Sequence, residues 1–276
     1  MQKTEQTETL DQKLESLKQY FIKRNSVVVA FSGGVDSTLL VRLASEFAPG
    51  KVLAVSSKSS VSPKGEIAIG QELTQQLNIE HIIIDTNELE NPNFVANPTN
   101  RCYHCKTGLF SRLKTIAQEY GIETVVDGTN YDDINDYRPG MKAANELGIE
   151  SPLKECKLTK DDIRCLSKKY NLQTWDKPAS PCLSSRVPYN STITLEKLLR
   201  IDNAEIIIRE LGIKEVRVRD HEEMARIEIP KKDFQTFLTA DINSDITNQL
   251  KKLGYKYVSL DLNGFRSGSL NEILKK

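Results

Sequence analysis

Three groups of residues along the 276-residue chain combine side chains that can do chemistry. The first is Ser32-Gly33-Gly34-Val35-Asp36-Ser37, set between a β-branched run, SVVVAF (26–31), and the helical pattern DSTLLVRLASEF. Glycine lets such a loop turn with positive φ and bring its backbone close to a ligand. The amides of the loop and of the first helical turn then converge on an anion, helped by the helix dipole. Ser32 and Ser37 can donate hydroxyl hydrogen bonds to phosphate oxygens. Asp36 would repel a phosphate directly, so its chemistry there is to hold Mg²⁺ that bridges to the phosphates. A tight strand-to-helix turn capped by Asp36 or Ser37 is the non-catalytic alternative. The Walker pattern GxxxxGK[ST] is absent.

The second group is sulfur. The five cysteines are Cys102, Cys105, Cys156, Cys165 and Cys182. Cys102-Tyr103-His104-Cys105 has the spacing of a redox pair, half a zinc site or two corners of an iron–sulfur cluster. His104 does not improve the zinc reading, because three ligands packed into Cys102, His104 and Cys105 have poor spacing for a Cys₃His site. Cys156 and Cys165 have no partner at ligand spacing and read as small core residues or exposed thiols.

The third group is basic. Arg217, Arg219 and His221 alternate with Val216 and Val218, which places all three on one face of a strand. Arg226 and Glu228 alternate in the same way with Ala225, Ile227 and Ile229. Taken alone this is a solvated hairpin face with Arg–Glu cross-strand pairs, each worth well under about 1 kcal/mol.

The elements that would position these groups follow from periodicity. Leu10, Leu14, Leu17 and Phe21 predict an amphipathic helix over 8–24. Apolar runs at 26–31, 51–57, 81–86 and 123–129 predict four strands, alternating with helices at about 36–47, 63–77 (Pro63 suiting a first turn) and 103–120. That alternation predicts an α/β fold, a doubly wound parallel sheet, whose ligands sit at the carboxyl ends of the strands. The loops SGGVDS, SSKSS and DGTNYDD all fall at those ends. A further helix at about 158–170 leads into the Pro- and Ser-rich stretch DKPASPCLSSRVPYNST. Beyond it the pattern changes to a helix over 194–211, strands at 215–221, 225–230 and about 255–262, and helical segments around 231–253. The expected domains are 1–186, carrying the phosphate loop, and 187–276, a small α+β domain.

Composition narrows the function. Lys+Arg 38 against Asp+Glu 38 leaves no net charge, which argues against a long nucleic acid as main partner. No window is apolar enough to span a membrane. The polar start MQKTEQTETLDQKLESLKQYF is unlike a signal peptide, and the expected location is the cytoplasm.

SGGVDS in its strand–loop–helix setting resembles the SGGxDS loop of the ATP pyrophosphatase superfamily, which cleaves ATP between the α- and β-phosphates and adenylates a substrate. NDYRPGMKAA (135–144), SPCLSSRVPY (180–189), EVRVRDH (215–221), ARIEIP (225–230) and LDLNGFRSG (260–268) narrow the resemblance to the LarE family, and it covers nearly the whole chain. LarE enzymes insert sulfur during synthesis of the nickel-pincer nucleotide cofactor of lactate racemase. The resemblance implies that ATP and Mg²⁺ activate a carboxylate of pyridinium-3,5-dicarboxylic acid mononucleotide as an acyl adenylate, and that sulfur then displaces AMP. It implies Ser32, Gly33, Gly34, Asp36 and Ser37 for the nucleotide, and Asp36 and Cys182 in catalysis. Ser185, Arg186, Arg217, Arg219 and Glu205 match positions at the mononucleotide, the two β-strand arginines facing its phosphate. Glu228 matches an acidic position associated with substrate or metal, while Asp127 and Arg138 lie in motif segments at the sheet's carboxyl edge without an assigned role. In the best-known LarE form a single cysteine before the SSR motif surrenders its own sulfur, and no CxxC is present. With Cys102 and Cys105 added to Cys182, this chain is similar instead to the branch that holds a [4Fe-4S] cluster on three cysteines. A sacrificial Cys182 and a tRNA thiolase of the same superfamily are the alternatives, and a homo-oligomer is expected.

Overall fold

The computed structural model describes residues 8–63, 66–135, 138–178 and 180–274. Residues 64–65 of the expected 63–77 helix, and Asp136 and Tyr137 of the NDYRPGMKAA motif, lie outside that set. The chain divides into two compact units: Met1–Lys58, Gly65–Thr86 and Cys102–Ala179 form the first, and Ser59–Lys64, Asn87–Arg101 and Ser180–Lys276 the second.

In the first unit, β1 (Val27–Ala30), β2 (Val52–Lys58), β3 (Glu80–Asp85) and β4 (Thr124–Val126) make one sheet in the order β3-β2-β1-β4, and every pairing is parallel. Parallel strands need crossover helices, and helices on both faces bury both faces. The valines of β1 show this directly. Val27 and Val29 pack into a core with α1 (Leu10–Arg24), α2 (Val35–Phe47) and α8 (Lys160–Lys169), while Val28 packs into a second core with α5 (Arg101–Glu119) and α6 (Pro139–Glu146). A continuous apolar run is therefore required where a one-sided sheet would alternate. α3 (Glu66–Gln76) connects β2 to β3.

The expected elements are present, most with shorter ends, while α5 begins two residues earlier than the expected 103–120 helix. Three short helices were not anticipated: α4 (Pro92–Val95), α6 and α7 (Pro152–Glu155). Each begins at a proline, whose fixed φ and missing N–H suit the first helical position. They are too brief to show periodicity.

The second unit holds α9 (Leu195–Arg209), the antiparallel pair β5 (Arg217–His221) and β6 (Met224–Glu228), then α10 (Phe234–Ser244), α11 (Ile246–Lys252) and β7 (Tyr257–Leu260), which pairs parallel to β6. Its core is formed by Ala204, Ile208, Val216, Val218, Ala225 and Ile227, with further buried apolar residues from α10 and α11. The sequence-based boundary after residue 186 differs from this grouping, in which residues 180–186 and two earlier segments join the second unit. Specific bonds account for the regrouping. The Leu183 amide donates to the Val61 carbonyl at 2.7 Å, and fully buried Asn97 donates through Nδ2 to the Pro188 carbonyl at 2.7 Å. Among the described residues no helix is long and apolar enough to cross a membrane.

Candidate active site

The SGGVDS loop leaves the carboxyl end of β1 and enters α2. Gly33 takes φ 70°, Gly34 is the N-cap, and Asp36 lies in the first helical turn. The cap is thus a glycine rather than Asp36 or Ser37, which leaves both side chains available for other work. The hydroxyls tie the loop to itself: Ser32 and Ser37 Oγ are 3.0 Å apart, and Ser37 Oγ also accepts from the Ser32 amide at 3.2 Å.

The Asp36 carboxylate is engaged on both oxygens. Lys160 Nζ lies 2.5 Å from Oδ2, and Asn130 Nδ2 donates to Oδ1 at 3.3 Å. Lys160 opens α8, where Thr159 and Asp162 form a capping box. A second lysine, Lys177, donates from Nζ to the Gly33 carbonyl at 3.0 Å. Sequence reasoning missed Lys160, Lys177 and Asn130. A helix is expected at about 158–170, but nothing in the pattern links Lys160 to a carboxylate 124 residues away.

The loop after β4 comes very close. A Cβ on Gly128 would lie 3.1 Å from the Ser37 nitrogen and 3.3 Å from Asp36 Cβ, so a side chain there has no room without moving the start of α2. Next to it, buried Asp127 accepts from Ser151 Oγ at 2.7 Å and Thr129 Oγ1 at 2.8 Å, which makes it a bracket for the loop. Arg138 pairs with Asp133 at 2.8 Å. Burial pushes the Asp133 carboxyl above its ordinary range, and the neighbouring Asp36 adds to the effect, while the Asn130 amide, Arg138 and Lys160 oppose it. Carboxylate and amide oxygens are hard donors of the kind Mg²⁺ takes, so this corner fits that ion, with Asp36 as the residue to hold it.

Cys102 and Cys105 occupy the first turns of α5 rather than the segment preceding it, three residues apart on one helical face. Cys182 is the N-cap of the short 3₁₀ turn Leu183–Arg186 and belongs to the second unit. All three are half-buried. Two thiols on one helical face suit two corners of a cluster; among the described residues no three His, Cys, Asp or Glu side chains form a metal-binding group. Cys165 is exposed. Burial, with Glu155 and Glu8 nearby, pushes the Cys156 thiol up to about 11, which makes it a poor nucleophile.

In the second unit the two arginines of the basic face of β5 are not solvated, whereas His221 at the strand end is exposed. Arg217 and Arg219 are 7% and 6% exposed, and Glu228 is fully buried. Arg219 is heavily committed: Nη1 donates to the Ser185 carbonyl at 2.7 Å, and Nη2 to Glu228 at 2.8 Å and Ser269 Oγ at 2.6 Å. Arg217 stacks over the Phe265 ring with its guanidinium carbon 5.2 Å from the centroid. Burial, with Arg186 beside it, lowers the Arg217 value to about 10 although Glu205 pulls the other way. A desolvated cation among cations is a place where an incoming anion is favoured. Arg186 and Glu205, both expected at the substrate, are instead fully buried against each other.

Comparison with known proteins agrees with this geometry. The NAD synthase family model matches residues 8–118. The chain is 39% identical over 253 residues to pyridinium-3,5-bisthiocarboxylic acid mononucleotide synthase of Lactiplantibacillus plantarum, covering 91% of this chain and 90% of that protein. The chain belongs to the LarE family. As a LarE-family chain it is a sulfurtransferase of the ATP-using PP-loop superfamily, and the helix-flanked, four-stranded parallel sheet of its first unit is consistent with that fold. It is also 43% identical over 267 residues to an uncharacterized Synechocystis protein, covering 97% of this chain and all of that one. An uncharacterized Methanocaldococcus jannaschii protein is 33% identical over 254 residues, covering 91% of this chain and 95% of that one.

Proposed function

We propose that this LarE-family enzyme uses ATP to adenylate a carboxylate of pyridinium-3,5-dicarboxylic acid mononucleotide and converts it to a thiocarboxylate for nickel-pincer cofactor synthesis. The observation that carries the reading is the SGGVDS loop at the carboxyl end of β1, with Asp36 in the first turn of α2 and Lys160 and Lys177 beside it, in a chain so similar to the Lactiplantibacillus synthase. A carboxylate is a poor electrophile, because its charge repels nucleophiles and oxide is a poor leaving group. Adenylation removes the charge and provides AMP as leaving group.

Ser32, Gly33, Gly34 and Ser37 bind the phosphates through loop amides and hydroxyls. Asp36 would hold Mg²⁺, which when bound would supply positive charge to the pyrophosphate leaving group. Lys160 and Lys177 add cationic charge at the same end of α2. Arg217 and Arg219 receive the phosphate of the mononucleotide, since guanidinium forks suit phosphate oxygens. Ser185, Arg186 and Glu205 form the frame behind them, and Cys182 serves catalysis as one of the thiolates that hold the sulfur-carrying cluster. Cys102, Cys105 and Cys182 together hold a [4Fe-4S] cluster, which when bound supplies an iron open to exogenous sulfide. The enzyme is cytoplasmic and homo-oligomeric in this reading.

The test is substrate-dependent pyrophosphate release with three candidates: the dicarboxylated mononucleotide, tRNA and no acceptor. Release with the mononucleotide alone supports the reading. Release with tRNA alone overturns it in favour of a thiolase. Iron and acid-labile sulfide assays on anaerobically purified protein test the cluster. A loss of about 34 Da at Cys182 after one turnover, with no iron bound beforehand, replaces the cluster with a sacrificial cysteine.

A further inference from the structure

We propose that Lys160 is a resident counter-ion of Asp36 that keeps the metal position closed until nucleotide arrives, so that the enzyme takes up its divalent cation only together with ATP. The inference rests on the reading of Asp36 as the Mg²⁺ carboxylate and adds a residue and a binding order to it.

Asp36 has no lone oxygen to offer. Lys160 Nζ sits 2.5 Å from Oδ2, and the Asn130 amide occupies Oδ1. A divalent cation taking Oδ2 must therefore displace an ammonium that is already well placed. The Lys160 backbone stays put during such an exchange. Its amide donates to Asp132 Oδ2 at 2.7 Å, the helix start is locked by the Thr159–Asp162 capping box, and Asp162 is itself paired with Lys13 at 2.6 Å. The side chain is different: 32% of it is exposed, and a four-carbon stem lets the ammonium move several ångströms while its Cα is fixed.

Charge balance sets the order of binding. Asp36 and the buried Asp133 repel each other, and Lys160 is a cation both of them feel. A metal ion arriving alone would gain Asp36 but release an ammonium with no new partner, beside a cation of double charge. When the metal arrives with ATP, the displaced ammonium meets phosphate oxygens at the N-terminus of α2, and the exchange exchanges one ion pair for two. Metal and nucleotide binding are then positively coupled through one side chain, and removing that side chain must weaken the coupling.

The experiment measures Mn²⁺, a paramagnetic stand-in for Mg²⁺, by EPR titration of the nucleotide-free protein, and calorimetric binding of the magnesium complex of α,β-methylene-ATP, which cannot be cleaved at the reacting bond. In K160M, Mn²⁺ without nucleotide should bind at least fivefold more tightly than in wild type, while the nucleotide complex binds at least tenfold more weakly. K160R keeps the charge and should behave as wild type toward Mn²⁺ alone, and in D36N/K160M the tighter Mn²⁺ binding should vanish. A purely structural lysine would weaken both ligands together. Unchanged or weaker Mn²⁺ binding in K160M, or tight Mn²⁺ binding that survives in D36N/K160M, overturns the proposal. If K160M does not fold, as read by its circular dichroism and melt, wild type decides. Mn²⁺ bound as tightly without nucleotide as with the methylene analogue overturns the proposal, and Mn²⁺ retained only with the analogue supports it. A wild-type enzyme that shows the coupling yet releases no pyrophosphate with the mononucleotide would sink the proposed function and leave this inference standing.

Discussion

Arg186 and Glu205 meet as a two-pronged ion pair inside the second unit, Nε to Oε1 at 2.7 Å and Nη2 to Oε2 at 2.9 Å, with both side chains fully buried. Glu205 also accepts from Arg209 Nη2 at 2.5 Å and from the Val218 amide at 3.1 Å. Arg186 Nη1 donates to the carbonyls of Pro181 and Cys182 at 2.6 and 3.0 Å. One buried pair thereby joins α9, β5 and the loop that carries Cys182, so a buried charge helps to fix the cysteine's backbone.

Breaking this pair from one side should be costly, because the remaining charge stays buried without its partner. Arg186→Met or Glu205→Leu alone should destabilise the protein by about 3–5 kcal/mol. The double variant should cost clearly less than the sum of the two. Urea unfolding of the four proteins checks this, and single variants within about 1 kcal/mol of wild type would show that the pair adds little.

The same carboxylate predicts a pH dependence. Burial alone would raise Glu205, but Arg186, Arg209 and Arg217 around it hold its value below the ordinary 4.5. A group whose folded value lies below its unfolded one adds stability above the unfolded value and loses it as pH falls through the folded one. Wild type should therefore lose stability relative to Glu205→Gln as pH drops below about 4.5. Unfolding curves between about pH 3 and pH 7 test this, and a difference that stays constant across the range counts against the assignment.

Gly128→Ala should weaken nucleotide binding about tenfold and cost about 1–3 kcal/mol, the usual range for forcing an extra methyl into packed structure. The contacted atoms are backbone and Cβ at the start of α2, which cannot yield without shifting Asp36 and Ser37. Gly108→Ala, in the interior of α5 with open space around its Cβ position, should be tolerated and gain about 0.5–1 kcal/mol. Calorimetric ATP titration and thermal melts of both variants separate the outcomes.

The two β5 arginines should differ when replaced. Arg219→Ala removes one of the two arginine partners of buried Glu228 and the donor to the Ser185 carbonyl, so both stability and substrate binding should fall. Arg217→Ala should chiefly weaken mononucleotide binding, by about 1.5–3 kcal/mol for a lost charge-assisted contact, with ATP binding unchanged. Equal mononucleotide affinity in wild type and Arg217→Ala would remove it from the phosphate site.

Much of this protein is determined locally and can be read from its residue order. The β-branched runs specify strands because both faces of a parallel sheet are buried, as Val27, Val28 and Val29 of β1 show. Ser32-Gly33-Gly34-Val35-Asp36-Ser37 marks the phosphate loop because strand, turn and helix N-terminus are contiguous in sequence. Tertiary structure alone decided which distant charges neutralise which. Alternation placed Arg217 and Arg219 on one face but could not say that the face is buried, since burial depends on what α9 and the 181–186 loop lay over it. Lys160 at Asp36, and Arg186 buried on Glu205 instead of open to substrate, are likewise invisible to spacing. An ion pair carries no periodicity: its energy depends on separation in space and local desolvation, and those are settled only when the whole chain has folded.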